Sequence, residues 1–403
     1  MRVLIVGAGI GGLTTALSLH AAGIDAQLID RVQTLHPLGV GINLLPHATG
    51  VLAELGLHDT LATQGVATSE LVHYDRFGNE IWREPRGVAA GHRWPQYSVH
   101  RGRLQALLLD AVLGRLGPGA IRTGHRFAAA VQEDRGVRVT VQDRAAGTTV
   151  ELDADVVIGA DGLHSGVRAH LYPGEGPPRW NGIRMWRGVA GAPAFLSGTS
   201  MLMAGSNHAA KLVAYPLTTA ATGDVLVNWV AEVRTPRDEQ GEAEWTRTGR
   251  LDDVAPHYRD WRIAGLDVAA LLAGSEPLLE YPMVDRDPLP RWSFGRITLL
   301  GDAAHPMYPV GSNGGSQAIL DARAVAAGLA GTGDPVAGLA AYESARRESA
   351  NTVVLANRDI PMDRTLRLVA ERAPTGFDRI QDVLSEAELR AITDGYRRTS
   401  ATR

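Results

Sequence analysis

Three glycine-acid segments stand in fixed order along the chain, each with the residues of a turn that brings backbone close to an anion. Gly7-Ala8-Gly9-Ile10-Gly11-Gly12 comes first, then Gly159-Ala160-Asp161-Gly162-Leu163-His164-Ser165. The third is Gly301-Asp302-Ala303-Ala304-His305, followed by Pro309, Gly311, Asn313 and Gly314. In the first segment Gly7, Gly9 and Gly12 fit the spacing G-x-G-x-x-G. The leading glycine permits a tight turn, the second lets backbone approach a pyrophosphate, and the third lets helix pack on strand. Asp30 stands where an acid is needed to hold a ribose hydroxyl. These features define a dinucleotide site without choosing between a nicotinamide and a flavin. Asp161-Gly162 with Ser165 and Arg168 has two readings: a further contact to a long cofactor, or a helix start capped by Ser165. Asp302 can accept hydrogen bonds from a ribityl chain, and the loop from Pro309 to Gly314 opens a helix near Ser316. Such a helix would aim its N-terminus at a flavin ring and stabilise the negative charge of the reduced form. One bound FAD explains all three segments best, with the reaction placed at the third. His305 is read as a packing or hydrogen-bonding histidine in preference to a base.

These turns require parallel strands that end at them. Residues 2–6 are an apolar run of the buried parallel kind, and a helix over 13–22 with a strand over 26–29 completes a βαβ start. A helix is expected over 104–116, paired strands over 136–142 and 148–152, and buried strands over 155–159 and 296–300. After Tyr172 the character changes. Residues 173–178 are rich in Gly and Pro, and sheet is expected over 183–189, 211–216 and 225–230. Tryptophans 180, 186, 229, 245 and 261 fall in this region, and helices are expected over 316–329, 336–357 and 385–396. The fold class is therefore α/β: a Rossmann-like FAD-binding domain with an inserted sheet-rich substrate domain and C-terminal helices. Residues 1–73, 96–172 and 276–345 are assigned to the cofactor domain, 74–95 and 173–275 to the insertion, and 346–403 to a C-terminal helical segment.

The 403 residues are 45% hydrophobic, enough for a large core, and the net charge of −4 offers no basic surface for nucleic acid or anionic membrane. Lys211 is the single lysine and there is no cysteine, which excludes disulfides, thiolate metal sites and cysteine catalysis. Arg2 and the apolar run after it mimic a signal peptide, but the glycines from Gly7 onward break that run. No stretch approaches the ~20 apolar residues of a membrane span. A cytoplasmic protein is expected, without a bound metal and open to homodimer formation.

On these residues the chain resembles the class A flavoprotein aromatic monooxygenases, the para-hydroxybenzoate hydroxylase family, whose fold is glutathione-reductase-like. The resemblance runs nearly full length. It rests on Gly7 to Gly12, Asp30, Asp161-Gly162 with Arg168, Gly301-Asp302 through Gly314, His100-Arg101, and Tyr342 with Arg346-Arg347. Longer phrases are most similar to family members that modify phenazines. These are Pro37-Leu38-Gly39-Val40-Gly41-Ile42-Asn43, Met185-Trp186-Arg187-Gly188-Val189, Tyr281-Pro282-Met283-Val284-Asp285-Arg286-Asp287-Pro288 and Gly311-Ser312-Asn313-Gly314. Where the family loop reads Gly-Gln-Gly followed by Asn, this chain has Gly311-Ser312-Asn313-Gly314, with Ser316 near the usual Asn.

The resemblance implies cofactor contacts from Gly7, Gly9, Gly11, Gly12, Asp30, Arg31, Gly41, Arg101, Gln105, Asp161, Asp302, Gly311, Asn313 and Gly314. Pro309 and Gly311 are the implied reaction-side residues, because this loop borders substrate and flavin in the family. NADH or NADPH is implied as a transient co-substrate, in keeping with the lack of a second G-x-G-x-x-G, and O₂ as the oxidant. In the implied cycle reduced FAD takes up O₂ as a C4a-hydroperoxide, whose distal oxygen attacks an electron-rich aromatic ring. With a phenazine-1-carboxylate, attack at the carboxylate-bearing carbon and loss of CO₂ would leave a hydroxyl without a strong base. The alternative is another aromatic acid, salicylate- or nicotinate-like, or a drug-inactivating hydroxylation. Trp186, Tyr215 and Pro309 are the expected substrate contacts, with ordinary sheet packing as the other reading of the two aromatics. Alternation puts Lys211, Val213 and Tyr215 on one face of their strand and Arg184 with Trp186 on one face of another, but does not say which face looks inward.

Overall fold

The structure, a computed structural model, describes residues 1–36, 39–206, 208–219, 223–235, 247–358 and 361–391. Pro37 and Leu38, Trp245, and the end of the helix expected over 385–396 lie outside the described residues; residues 386–391 are helical.

The apolar run Arg2–Val6 is the buried centre of a six-stranded sheet. Its neighbours are Val156–Gly159 on one side and Asp25–Ile29 on the other, both parallel, and Ile297–Leu299 continues parallel beyond Val156–Gly159. Ile121–Arg122 closes one edge in parallel and Ser293–Phe294 the other in antiparallel. Register places Val6 level with Gly159, and Gly159 level with Leu299. The three glycine-acid turns therefore leave adjacent strands side by side at their carboxyl ends, where open α/β sheets bind ligands. The helix Ile10–Ala21 covers this sheet with Leu13, Ala16 and Leu17, and the long helices Asn313–Thr332 and Pro335–Ala356 complete the layer. The strands expected over 136–142 and 148–152 pair in antiparallel, as Val137–Asp143 with Thr148–Ala154.

The second sheet has seven strands, ordered Leu279–Asp285, Arg179–Pro193, Asp224–Arg234, Ala210–Pro216, Ser200–Gly205, Glu70–Tyr74, Glu80–Pro85. Leu279–Asp285 hydrogen-bonds to Arg179–Pro193, and Glu70–Tyr74 runs parallel to Ser200–Gly205. Both strands belong to this sheet and not to the cofactor segments 276–345 and 1–73 that the sequence division gave them. Register with distant strands decides their membership, and a local change of composition does not report it.

The two faces of this sheet are distinct. One carries Leu212, Trp229, Ala231 and Trp186 and is covered by Val254, Tyr258, Trp261 and Leu271. The other carries Met185, Val230, Tyr281 and Met283 and meets Tyr308 and Val310 of the third turn's loop. Leu366 and Val369 of the helix Pro361–Arg372 pack with Ile81 and Leu384 and reach Met203 on that same face. Among the described residues no helix is long and apolar enough to cross a membrane, and no group of acidic and histidine side chains is arranged to hold a metal.

Candidate active site

The first turn is built by what its glycines exclude. A Cβ on Gly12 would stand 1.9 Å from the Gly7 carbonyl oxygen, and one on Gly7 would stand 2.4 Å from that of Ala160. A Cβ on Gly9 meets nothing within 4 Å, so the turn is packed behind Gly7 and Gly12 and open at Gly9. Gly9 caps the helix Ile10–Ala21 with no side-chain hydrogen bond, which leaves backbone N–H groups for an anion. Gly11 lies against Leu300 and Ala318 and joins this turn to the third. Asp30 accepts from the Ala8 N–H at 2.7 Å and from the Val32 N–H at 3.0 Å. Gln105 donates to the Ala8 carbonyl at 3.0 Å, so its observed contact is with the turn. The Arg31 side chain is exposed.

Gly301–Ala303 is a short turn at the end of its strand. Asp302 is exposed yet crowded by protein. That crowding raises its carboxyl above the usual range, opposed by His305 and Arg101. Arg101 is likewise exposed and crowded. Desolvation lowers its pKa, Asp302 opposes the shift, and Arg187 adds to it. Pro309 and Gly311 are exposed beside buried Val310. Gly311 (φ +66°) and Ser312 (φ +60°) are both left-handed, a conformation that a serine adopts only where its surroundings impose it. Ser312 begins the helix Asn313–Thr332, which has no side-chain cap and no acid in its first turn. Asn313 and Gly314 stand in that turn half-buried, with Gly314 facing Asp302. Ser316 accepts from the Leu45 N–H at 3.0 Å and donates to the Ser312 carbonyl at 3.1 Å, so it pins the turn.

Behind the loop, His305 is buried with its Nε2 2.5 Å from Asp321, which also receives Arg346 Nε at 2.8 Å and the Gly301 N–H at 3.1 Å. The His305 ring packs on Trp292 with centroids 5.2 Å apart. His305 is a structural histidine, as expected from the sequence.

Asp161 is the clearest departure. Its carboxylate accepts from Ser165 Oγ and from the Gly166 and Val167 N–H groups at 2.7 and 3.2 Å. Ser165 in turn accepts from the Arg168 N–H at 2.8 Å and caps the helix Gly166–Leu171. The capping reading therefore describes these residues, and the Asp161 side chain is engaged with its own helix. Arg168 donates to the Ala303 and Ala304 carbonyls at 3.0 and 2.9 Å and pairs with Glu175, so it braces the third turn from behind.

Trp186 does not line the inward face. It is 2% exposed in the cluster with Trp229 and Tyr258, on the sheet face turned away from the Tyr308–Val310 loop. Alternation separates the two faces, but the segment that covers this one is remote in sequence. Tyr215 lies on the inward face with Val213, and burial pushes its phenol up to about 12, against the pull of Arg187. The same face carries two residues that the sequence reading left without a role, Arg187 and Asn228. Asn228 Oδ1 accepts from the Gly41 N–H at 2.6 Å, and an Arg187 N–H donates to the Gly41 carbonyl at 2.7 Å. A Cβ on Gly41 would stand 2.7 Å from both Asn228 and Tyr215. A charged residue inside a strand of apolar neighbours was the available signal for Arg187; nothing local marks Asn228.

The residues present fit FAD. The cradle is open only at Gly9, two uncapped helix N-termini are available, and Arg101 supplies a cation beside Asp302. Over residues 1–357 the chain belongs to the family described as FAD binding domain, and it is a FAD-dependent aromatic monooxygenase of class A. It is 48% identical over 400 residues to the phenazine 1,6-dicarboxylic acid hydroxylase PhzS of Lysobacter antibioticus, covering 98% of this chain and 96% of that one. It is 31% identical to 6-hydroxynicotinate 3-monooxygenase of Bordetella bronchiseptica, covering 90% and 92%. Its structure is similar to Klebsiella pneumoniae HpxO complexed with FAD and uric acid, with a TM-score of 0.79, 25% identity and coverage of 100% and 97%.

Proposed function

We propose that this enzyme hydroxylates a phenazine carboxylate at the carbon that bears the carboxylate, releasing CO₂. The observation that carries this reading is the lack of an available base on the inward sheet face among the described residues. Glu232 is committed to Lys211 at 2.9 Å, burial drives His73 down to about 3, and burial holds Tyr215 near 12. A phenol hydroxylation calls for a group to take the phenolic proton, whereas departure of CO₂ supplies the electron pair that restores the ring. The relationship to the Lysobacter hydroxylase over almost the full length supports the ring system. Half-buried Val189, Met203, Val213 and Leu226 give the face an aliphatic surface suited to a flat ligand.

When bound, FAD reduced by NADH or NADPH supplies activated oxygen. Overall, carboxylate, O₂, reduced nicotinamide and two protons become phenol, CO₂, water and oxidised nicotinamide. The chain positions both partners. The Gly7–Gly12 turn and Arg101 would hold the anionic end of the cofactor, and the N-terminus of Asn313–Thr332 would favour negative charge on its ring. The loop that packs Tyr308 and Val310 on the inward sheet face would border the aromatic ring and help to keep water from it. The test is nicotinamide oxidation by the FAD-loaded protein with phenazine-1-carboxylate, phenazine-1,6-dicarboxylate and salicylate, with products read by mass. A phenazine-dependent rate with loss of CO₂ is expected. Stimulation by salicylate alone would assign the enzyme to another aromatic acid.

A further inference from the structure

Arg187 carries a charge with no carboxylate paired to it. Its guanidinium donates to Tyr281 Oη at 3.0 Å and to the Gly41 carbonyl at 2.7 Å, both neutral acceptors. Among the described residues no carboxylate lies within ion-pair distance of it, whereas three other arginines are paired. Arg168 pairs with Glu175, Arg346 with Asp321 at 2.8 Å, and Arg358 with Asp285 at 2.6 Å. Tyr215 and Tyr281 flank Arg187, and a phenol held near 12 offers no countercharge. Glu232, an acid on this sheet face, already faces Lys211 at 2.9 Å, and Lys211 also meets Asp363 at 3.0 Å.

Hydrogen-bond demand agrees with the charge. Arg187 Nε and Asn228 Nδ2 are both buried donors without an acceptor. Asn228 is fully buried, and its Oδ1 is fixed by the Gly41 N–H, which leaves the amide nitrogen as the group still to be satisfied. Strand register sets Arg187 opposite Val230 and Asn228 opposite Val189, so the two side chains are diagonal neighbours on the face that meets the Tyr308–Val310 loop. A buried cation with no carboxylate beside it and with orphaned donors is costly, and a ligand carboxylate, which accepts from a guanidinium fork and a neighbouring amide together, reduces that cost.

We propose that Arg187 and Asn228 bind the carboxylate of the substrate and so select an aromatic acid over its neutral analogues. This rests on the reading of the substrate as an aromatic carboxylate, though not on its being a phenazine. The experiment titrates the FAD-loaded protein with phenazine-1-carboxylate and with phenazine-1-carboxamide, following the flavin absorption spectrum. Wild type should bind the acid at least about tenfold more tightly than the amide. Arg187→Gln should bring the ratio close to one with FAD retained, and Arg187→Lys should keep part of it. An unchanged ratio in Arg187→Gln overturns the proposal, and so does a wild-type ratio near one, which needs no variant to fold. If neither phenazine binds, the same ratio is taken with salicylate and salicylamide. The phenazine reading then fails, while Arg187 stands or falls on the new pair.

Discussion

At the residue scale, Gly9 and Gly12 separate folding from binding. Alanine at Gly12 forces its Cβ into the Gly7 carbonyl, where 1.9 Å is available, so the turn must break. The Gly12→Ala protein should lose FAD and also lose several kcal/mol of stability as the apoprotein, within the range of severe core strain. Alanine at Gly9 meets no protein atom within 4 Å. Gly9→Ala should unfold in denaturant with the apoprotein midpoint of wild type and yet bind FAD at least about tenfold more weakly. Wild-type FAD affinity in Gly9→Ala would show that the open side of the turn is not where the pyrophosphate approaches. Such glycines were legible because their spacing is local and each has a separate steric duty. Asp161 was less so. An acid beside a helix start can serve a ligand or its own backbone, and only the positions of Ser165, Gly166 and Val167 around it decide.

At the scale of elements, strands of the cofactor sheet were recognisable from apolar runs, and the paired faces of the inserted sheet from alternation. Which face meets the cofactor was not, because the choice depends on Val254, Tyr258 and Trp261, which cover Trp186 from a different part of the chain. The same packing determines the pH response of the strand Glu70–Tyr74. His73 in this strand is fully buried, and burial with the nearby charges of Arg86 and Lys211 lowers it from 6.5 to about 3, against an opposing backbone contact at Trp82. Its folded value lies below its unfolded one, so its neutral form is the folded form. Stability is complete above pH 6.5 and drains away as pH falls from there toward 3, by an amount on the order of a few kcal/mol. His73→Leu should therefore be more stable than wild type at pH 4.5 and within about 1 kcal/mol of it at pH 7.5. Thermal unfolding at the two pH values measures this, and parallel losses at both would remove His73 as the source.

At the scale of the whole molecule, the inserted sheet is less separable than the composition shift at Tyr172 suggests. Three of its seven strands, Glu70–Tyr74, Glu80–Pro85 and Leu279–Asp285, lie outside residues 173–275. A fragment of residues 173–275 would bare both edges of the remaining strands and the apolar inward face, which Tyr308 and Val310 close in the intact chain. That fragment should show no cooperative unfolding transition by circular dichroism, whereas the full chain should unfold cooperatively and at a higher temperature as FAD is added. A sharp transition in the isolated fragment would mean that the sheet is an independent folding unit.

The buried Lys211 has a practical consequence for anyone handling the enzyme. It is the chain's single side-chain amine, 1% exposed and held between Glu232 and Asp363. Amine-directed esters and lysine-coupled resins, apart from what they do at the terminal amine, find no side-chain amine to react with until the sheet opens. Acylation of that one side chain is thus a built-in, all-or-none stain for unfolded molecules.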